Sequence, residues 1–363
     1  MTPAGAAEPS TRLPSSAGLR GPNAKVGGAP APEWLPALLG APLPPEGEAV
    51  TLGGRRFVLL RGILREEGIL SAHQSQTADV FGFKWRQHQS FDTPAMRAKA
   101  ATWMVEKYGD VRRERWWDDY GPEPLLVDAG CGAALSALEL FGDRLASVRY
   151  LGVDVSDAVD TAAARFAERA LPAGFLQTDL GRVPLPDGSV DVVFSEGVLH
   201  HTDSTEAALK RLAGLLKPGG RFLFYVYRRK APVREFTDDY IRDRLGELSP
   251  EDAWDALMPL TRLGKALGEL GAEVEVPEAV ELLGIPAGPI SVQRLFYWYF
   301  CKAFHHPDFS LDEMNHLNYD WYAPRNAHRQ TPEQVRTWCA QAGLEIEREN
   351  VEESGITVVA RKA

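Results

Sequence analysis

The sequence predicts an α/β fold built on a doubly wound, mostly parallel sheet, and three observations support that fold class. From Leu125 onward, short β-rich runs alternate with helical stretches, a pattern typical of β-α-β crossovers. Three of these runs end at an aspartate, namely Asp128, Asp154 and Asp179. The 363 residues are 44% hydrophobic and 25% charged, as expected for a globular protein of about two domains.

The chain begins with a segment whose composition favours disorder. Residues 1–46 hold ten of the 26 prolines and many glycines and alanines, without a periodic apolar pattern. One short helix is expected near residues 34–39. Residues 47–120 are then predicted to form an N-terminal extension, made of a hairpin with its turn at Gly53-Gly54 and a later helix.

The sheet core is predicted to be divided by a helical insertion. Residues 121–230 and 331–363 carry the alternating strands and helices, whereas residues 231–330 are helical and rich in aromatic side chains. A helical cap between the fifth and sixth strands is therefore expected. The last two strands, separated by Glu352–Gly355, are expected to form a hairpin.

A glycine-rich turn after the first core strand is the strongest local signal. Residues 127–134, VDAGCGAA, place an acid at the end of a strand and two glycines before a helix. Glycine lets the backbone approach a ligand where a Cβ would clash. By itself the turn also fits a plain strand-to-helix connection or a variant dinucleotide loop. Its spacing differs from G-x-G-x-x-G, since position 135 is Leu, which argues against a nicotinamide dehydrogenase.

Acids at the next two strand ends make the turn more specific. Ligands of open α/β sheets bind outside the carboxyl ends of the strands. Asp154, 22 residues after Gly132, can accept hydrogen bonds from both hydroxyls of a ribose, and Asp179 can accept from the exocyclic amine of adenine. Each acid alone is also compatible with a helix N-cap or a solvated loop charge.

These motifs resemble the class I S-adenosylmethionine-dependent methyltransferases over about residues 80–230, and more weakly over 319–361. Further matches are SEGVLHH at 195–201 and LKPGG at 216–220. The resemblance implies a Rossmann-like sheet of seven strands whose last strand is antiparallel, and S-adenosyl-L-methionine as the cofactor. The implied cofactor-binding residues are Asp128, Gly130, Cys131, Gly132, Asp154, Val155, Asp179, Leu180, Ser195 and Val198.

The sequence departs from the family pattern at Ala134, where a third glycine is usual. Cofactor binding is expected to survive, because alanine is the mildest replacement. Residues 82–85, GFKW, and 320–325, DWYAPR, are similar to segments of a bacterial subset of small-molecule type. In that subset a zinc-ribbon-like leader often precedes the first segment. Here no cysteine precedes Cys131, so no metal is predicted.

Two adjacent histidines follow the fourth core strand and are the candidate catalytic residues. His200 and His201 are expected to face the transferred methyl group. Either can act as a general base if the acceptor is a hydroxyl, because histidine titrates near neutral pH. The alternative is that one of them packs structurally or against the cofactor.

Two further groups are expected to line the acceptor pocket. One follows the fifth core strand, where arginines can clamp an acidic substrate; a solvated charge cluster is the alternative. The other is a polar-aromatic loop after the inserted helices, for which structural packing is equally compatible. The candidate substrate residues are Tyr225, Tyr227, Arg228, Trp321, Tyr322, Arg325 and His328.

Charge and composition limit the partners. The net charge of −10 argues against nucleic acid. No run approaches the roughly 20 apolar residues of a membrane span, and no signal-peptide core is present, so a cytoplasmic location is expected. His305-His306 with Asp308 is not a closed metal-ligand set. The aromatic stripe over 295–304 predicts a buried cap helix, with an apolar pocket or a homodimer face as alternatives.

Together these patterns predict an S-adenosylmethionine-dependent methyltransferase with a small-molecule acceptor. Oxygen is the favoured acceptor atom, with nitrogen and carbon as alternatives. Two other classes stay open, an RNA methyltransferase and a non-catalytic cofactor-binding interaction module. Steeply salt-dependent RNA binding would favour the first of these, and cofactor binding without turnover would favour the second.

Overall fold

The computed structural model describes residues 31–68, 70–87 and 90–363. The strands are β1 Ala49–Leu52, β2 Arg55–Leu60, β3 Ile63–Glu66, β4 Leu125–Ala129, β5 Arg149–Asp154, β6 Ala173–Gln177, β7 Val190–Glu196, β8 Leu216–Tyr227, β9 Glu273–Val276, β10 Gly288–Ser291, β11 Leu344–Val351 and β12 Gly355–Lys362. The helices are α1 Leu35–Leu39, α2 Ala72–Arg86, α3 Pro94–Tyr108, α4 Leu135–Phe141, α5 Ala158–Glu168, α6 Thr205–Leu215, α7 Pro232–Leu245, α8 Pro250–Glu269, α9 Val292–Tyr299, α10 Leu311–Tyr322 and α11 Pro332–Gln341.

Ten strands of the described chain form one sheet, in the order β1-β2-β3-β6-β5-β4-β7-β8-β12-β11. From β3 to β8 in this order all neighbours are parallel. β12 is antiparallel to both β8 and β11, which confirms the predicted antiparallel last strand. The chain order reverses beside β4, so the carboxyl ends of β4 to β7 border one crevice.

The predicted count of seven strands is wrong, because the N-terminal extension adds three strands to the sheet. β1 and β2 form the predicted hairpin, and β2 pairs with β3, which lies parallel to β6. The charged residues Arg65 and Glu66 interrupt the apolar pattern by which β3 would be recognised in the sequence, yet both are buried in the structure. Arg65 donates to Gln177 Oε1 and Asp160 Oδ1, each at 2.7 Å, and Arg55 Nη1 lies 3.0 Å from Glu66 Oε2. These partners offset the cost of burying charge.

The prediction of a disordered leader over residues 1–46 is corrected for the C-terminal part of that segment. Residues 1–30 of that segment lie outside the described residues. From residue 31 onward the chain packs on the sheet through α1, which confirms the expected short helix. Leu35 is only 1% exposed, and a Cβ on Gly174 of β6 would lie 3.2 Å from the Trp34 ring. Tertiary contacts of a few apolar residues thus order a stretch whose composition alone favours disorder.

The insertion over 231–330 leaves the sheet after β8 and returns before β11. It contains α7 to α10 and a small β9-β10 hairpin. The rings of Trp254 and Tyr319 pack on Phe83 of α2, with centroid distances of 6.0 and 5.7 Å. The insertion therefore contacts the N-terminal extension as well as the sheet. Among the described residues, none of the helices combines the length and the apolar character of a membrane span.

Candidate functional site

A cavity of about 550 Å³ lies at the carboxyl ends of β4 to β7 and extends beneath the insertion, with α2 and α3 as a further wall. Its strand end is lined by Asp128, Gly130, Gly132, Asp154, Asp179 and Val198. Its cap end is lined by Lys84, Tyr227, Lys230, Lys302, Asp320 and Trp321. The predicted residues that border the cavity are Asp128, Gly130, Cys131, Gly132, Asp154, Val155, Asp179, Leu180, Val198, His201, Tyr225, Tyr227 and Trp321.

The glycine-rich turn between β4 and α4 has a shape that excludes side chains at two positions. Gly130 has a φ of +85°, and a Cβ there would lie 2.2 Å from Val198 Cγ1. Gly132 has a φ of +50°, and a Cβ there would lie 2.7 Å from Trp85 Nε1. The turn therefore presents bare backbone to the cavity. Ala134 adopts a left-handed φ of +58°, so the departure from the family pattern falls on a helix cap instead of the cavity wall.

The three strand-end aspartates are held by donors of the protein itself. The Gly132 N–H donates to Asp154 Oδ2 at 2.8 Å, which fixes the turn against β5. The Tyr150 hydroxyl donates to Asp128 Oδ2 at 2.5 Å. Burial raises the pKa of all three carboxyls, and it raises the pKa of Asp128 to about 7 although the Tyr150 hydrogen bond opposes the shift.

The two candidate histidines occupy different places. His201 lines the cavity, and its Nδ1 lies 2.6 Å from the carbonyl oxygen of Asn326. Because a carbonyl only accepts, Nδ1 carries the proton, and the buried Nε2 keeps a lone pair with no partner in the described part of the chain. Burial lowers the pKa of His201 to about 4, so the ring is neutral near pH 7. His200 instead stacks on Tyr227, with ring centroids 3.6 Å apart, and does not border the cavity.

Asp320 is the central acid of the cap end. It forms an ion pair with Lys84 and accepts the Tyr227 hydroxyl at 2.9 Å. Burial alone would raise its pKa, but the positive charges of Lys84 and Lys302 hold the pKa of Asp320 well below its ordinary value. Asp320 is therefore a carboxylate, and it ties α10 to α2 across the cavity.

Six of the predicted residues do not border the cavity, namely Ser195, His200, Arg228, Tyr322, Arg325 and His328. Ser195 is fully buried, and its hydroxyl donates to the Ala129 carbonyl at 2.8 Å, where it joins β7 to β4. The Tyr322 hydroxyl accepts the backbone N–H of Lys302 at 2.8 Å. Both side chains therefore support the walls of the cavity from behind.

The remaining three of these residues lie toward the outside of the molecule or in its supporting loops. Arg228 Nη1 lies 3.5 Å from Glu353 Oε1. Arg325 donates to the Gly246 carbonyl at 2.7 Å. His328 Nε2 lies 3.0 Å from a main-chain carbonyl of residue 202. Each of these three side chains makes its contact with another part of the protein and does not border the cavity. The structure therefore does not bring them together with the other candidate substrate residues.

Several cavity residues were missed by reasoning from the sequence. Lys84 and Trp85 belong to the GFKW segment, and Asp320 belongs to DWYAPR, so the resemblance offered a signal for these three. Lys302, which also lines the cavity, has no such signal. It lies in a connection without a motif, and a sequence does not show which residues of a cap face inward.

Cysteines and paired histidines form no cluster of metal ligands in the described residues. No three side chains of the ligating types come together there. His306 Nδ1 lies 3.9 Å from Asp308 Oδ2, and the three cysteines are buried and free. Of the three cysteines, only Cys131 borders the cavity, where burial raises the pKa of its thiol.

Comparison with known proteins agrees with this geometry. The sequence profile of a family described as a methyltransferase domain matches residues 127–224. An uncharacterized methyltransferase of Mycobacterium bovis is 37% identical over 95 residues, which are 26% of this chain and 46% of that protein. The sterol 24-C-methyltransferase of Aspergillus fumigatus is 27% identical over 124 residues, 33% of this chain and 32% of that protein. The chain thus spans less than half of the length of these two curated relatives.

A solved structure with a similar fold is the magnesium protoporphyrin IX methyltransferase of Synechocystis PCC 6803 with bound SAM. It is 14% identical, with a TM-score of 0.41, over 81% of this chain and 99% of that one. Residues 127–224, which carry the glycine-rich turn and the three strand-end aspartates, thus match the sequence profile of a methyltransferase domain. The matched profile ends within β8, so the insertion lies outside it.

Proposed function

We propose that the protein is an S-adenosylmethionine-dependent methyltransferase that methylates a small-molecule acceptor. The observation that carries the proposal is the continuity of one cavity from the strand end to the cap end. The strand end offers bare glycine backbone and carboxylates, whereas the cap end offers aromatic rings and buried charges. Two ligands of different chemistry can therefore lie side by side in one continuous space.

The residues of the strand end fit the cofactor. Gly130 and Gly132 line the cavity without a side chain, since Val198 and Trp85 occupy the space that a Cβ would need, so the methionine portion could approach their main chain closely. Asp128 would hold the amine, Asp154 the ribose hydroxyls and Asp179 the adenine amine, in line with the resemblance of these motifs. When bound, the cofactor supplies an activated methyl group on a sulfonium sulfur.

Oxygen is the favoured acceptor atom because the buried Nε2 of His201, which lines the cavity, is unprotonated and has no hydrogen-bond partner among the described residues. As an acceptor hydroxyl takes the methyl group, His201 Nε2 would receive the hydroxyl proton. A base whose pKa is about 4 is weak, so this role suits an acidic hydroxyl such as a phenol better than an aliphatic alcohol. His200, which stacks on Tyr227, would hold the Tyr227 ring in place and would not transfer a proton.

A small molecule fits the site better than an RNA. The acceptor space is a pocket beneath the insertion, and the chain carries a net charge of −10. RNA binding usually depends on a basic surface that neutralises phosphates. Tight, steeply salt-dependent binding of transfer RNA would reverse this choice.

The proposal is tested by thermal unfolding with and without S-adenosylhomocysteine. Ligand at about 100 times its Kd adds roughly 2.7 kcal/mol, which for a chain of this size corresponds to a Tm increase of roughly 3–5 °C. Asp154→Asn should lose the increase. Asp187→Asn, whose side chain is 76% exposed on the far side of the sheet, should keep it. A folded wild-type protein without any shift would overturn the proposal.

A further inference from the structure

Two buried lysines of the cap end have no acid as a direct partner. Lys230 is 9% exposed and Lys302 is 8% exposed, and both line the cavity. In the part of the chain that the structure describes, no carboxylate oxygen lies within 4.0 Å of either ammonium group. Lys302 Nζ donates to the Leu317 carbonyl at 2.7 Å, and Lys230 Nζ donates to two main-chain carbonyls of 353–354. Neutral carbonyls therefore replace the counter-charge that buried cations usually have.

The two ammonium groups border the same aromatic ring. Lys230 Nζ lies 5.3 Å from the ring centroid of Trp321, and Lys302 Nζ lies 5.0 Å from it. Lys230 comes from the end of β8, and Lys302 comes from the connection between α9 and α10. Two distant segments thus bring their amine nitrogens beside one ring of the cavity wall, where burial lowers the pKa of both lysines.

The acids nearby are already engaged by other donors. Asp320 is paired with Lys84 and accepts the Tyr227 hydroxyl. Asp238, behind the wall, accepts from Arg234 at 2.8 Å and from the Trp321 indole N–H at 2.8 Å. Asp320 and Asp238 each have a closer cation of their own, so neither lysine has one of these carboxylates as a direct partner.

We propose that the acceptor carries an anionic group, a carboxylate or a phosphate, which binds between Lys230 and Lys302 against the Trp321 ring. This inference rests on the proposed function and names the chemical class of its acceptor. The rings of Tyr297, Trp298 and Phe304 line the same end of the cavity, so the body of the acceptor is apolar or aromatic. An anion at this position would supply the missing counter-charge, and ammonium groups suit such a contact because each keeps further N–H donors.

The protonation of Lys302 agrees with this geometry. Burial lowers its pKa to about 7, while Asp320 on α10 and Asp238 on α7 raise it and Arg234 and Lys84 lower it. A bound anion would favour the ammonium form. Binding of the anion should therefore take up a proton at a pH above about 7, which is a signature that a merely structural lysine would not produce.

The experiment measures binding of small acids to the full chain saturated with S-adenosylhomocysteine. The probes are benzoate, phenylacetate, hydroxycinnamate and phenyl phosphate, each beside its neutral amide or alcohol, in titrations up to about 10 mM. At least one acid should bind about tenfold more tightly than its neutral counterpart. The carboxylates and the phosphate form separate arms, which show which anion the site prefers.

Variants of the two lysines test whether these residues cause the preference for acids over neutral probes. Lys302→Met should abolish the difference between acid and neutral probe, and Lys302→Arg should retain it. Lys230→Met is the second variant, in case Lys302→Met does not fold. Lys210→Met, at a lysine paired with Glu206 on α6, is the matched control and should change nothing.

The outcomes separate this inference from the proposed function. S-adenosylhomocysteine binding is measured first in every variant, and its absence in the wild type would overturn the proposed function. If S-adenosylhomocysteine binds but no acid is preferred over its neutral counterpart, the inference of an anionic acceptor is overturned and the proposed function is not. A preference that survives in both Lys302→Met and Lys230→Met would also overturn it.

Discussion

The two ends of the cavity are built in opposite ways. The strand end is made of main chain and acids from one stretch of the sequence, residues 128–198, at the edges of parallel strands. The cap end is made of side chains from separate segments, among them Lys84 on α2, Lys302 before α10 and Asp320 on α10. The difference teaches that local strand geometry builds one end of the cavity, whereas tertiary packing of separate elements builds the other.

The largest expected effect is at the glycine-rich turn of the strand end. In Gly130→Ala the new Cβ would lie 2.2 Å from Val198 Cγ1, so the turn must move and S-adenosylhomocysteine binding should be lost. Gly197→Ala is the matched control, since Gly197 also lines the cavity at a φ of +72° but has no atom within 4 Å of its Cβ. It should cost only about 1–2 kcal/mol of stability and keep binding, as measured by calorimetry. Equal loss of binding in both variants would contradict this account of the turn.

The next effect distinguishes the two neighbouring histidines. His201→Gln should lower kcat by about 10- to 100-fold for a hydroxyl acceptor, because the variant lacks the unprotonated Nε2. The Kd of S-adenosylhomocysteine should stay unchanged. His200→Gln should instead lower stability through loss of the stacking on Tyr227. Both are measured by steady-state kinetics and thermal unfolding, and an unchanged kcat in His201→Gln would remove His201 from the reaction.

The two ends should respond to pH in opposite directions. The Asp128 carboxyl, with a pKa of about 7, must be ionised to hold an amine, so S-adenosylhomocysteine affinity should fall below pH 7. Lys302, also with a pKa of about 7, must be protonated to hold an anion, so the affinity for acids should fall above pH 7. One titrating group changes each affinity by up to about tenfold per pH unit.

Titration calorimetry between pH 5.5 and 8.5, a range of roughly 1.5 units on either side of those pKa values, measures both profiles. Asp128→Asn should flatten only the first profile, and Lys302→Arg should flatten only the second. Two profiles with slopes of the same sign would contradict the contrast between an acidic strand end and a basic cap end.

The smallest effect is expected at Trp321. Trp321→Phe keeps a ring beside the two lysines but removes the indole N–H that Asp238 accepts at 2.8 Å. The KM for the acceptor should rise about 3- to 10-fold, in keeping with the roughly 1 kcal/mol of one hydrogen bond. S-adenosylhomocysteine binding should not change. Trp338→Phe on α11, away from this cavity, is the control, and equal KM changes in both variants would contradict the local role of Trp321.

The strand end could be predicted because its signals are local. Parallel strands place their carboxyl ends at one edge of the sheet, so Asp128, Asp154 and Asp179 had to lie near each other once the strands were recognised. β3 could not be predicted in the same way. Arg65 and Glu66 interrupt its apolar pattern, and their burial depends on partners such as Gln177 more than 100 positions away.

The cap end could not be predicted because its members share no pattern. Lys230 follows two arginines in a charged run that also fits a solvated cluster, and Lys302 lies within the aromatic stripe over 295–304, which predicts a buried cap helix with an apolar pocket as an alternative. Whether a lysine of a cap helix faces water or a cavity depends on how the helices pack. Trp321 and Tyr227 were found only through their position in or near a motif.

The ion pair between Lys84 and Asp320 joins two residues that are synthesised at different times. The two residues are 236 positions apart, and a ribosome adds about 5–20 residues per second, so Lys84 leaves the ribosome roughly 10–50 s before its partner. The residues that line the strand end, within 128–198, have all been synthesised well before α10. On a nascent chain, the residues proposed to hold the cofactor are therefore present while the cap end still lacks one wall. A bound cofactor would then stabilise the unfinished protein before it can turn over any acceptor.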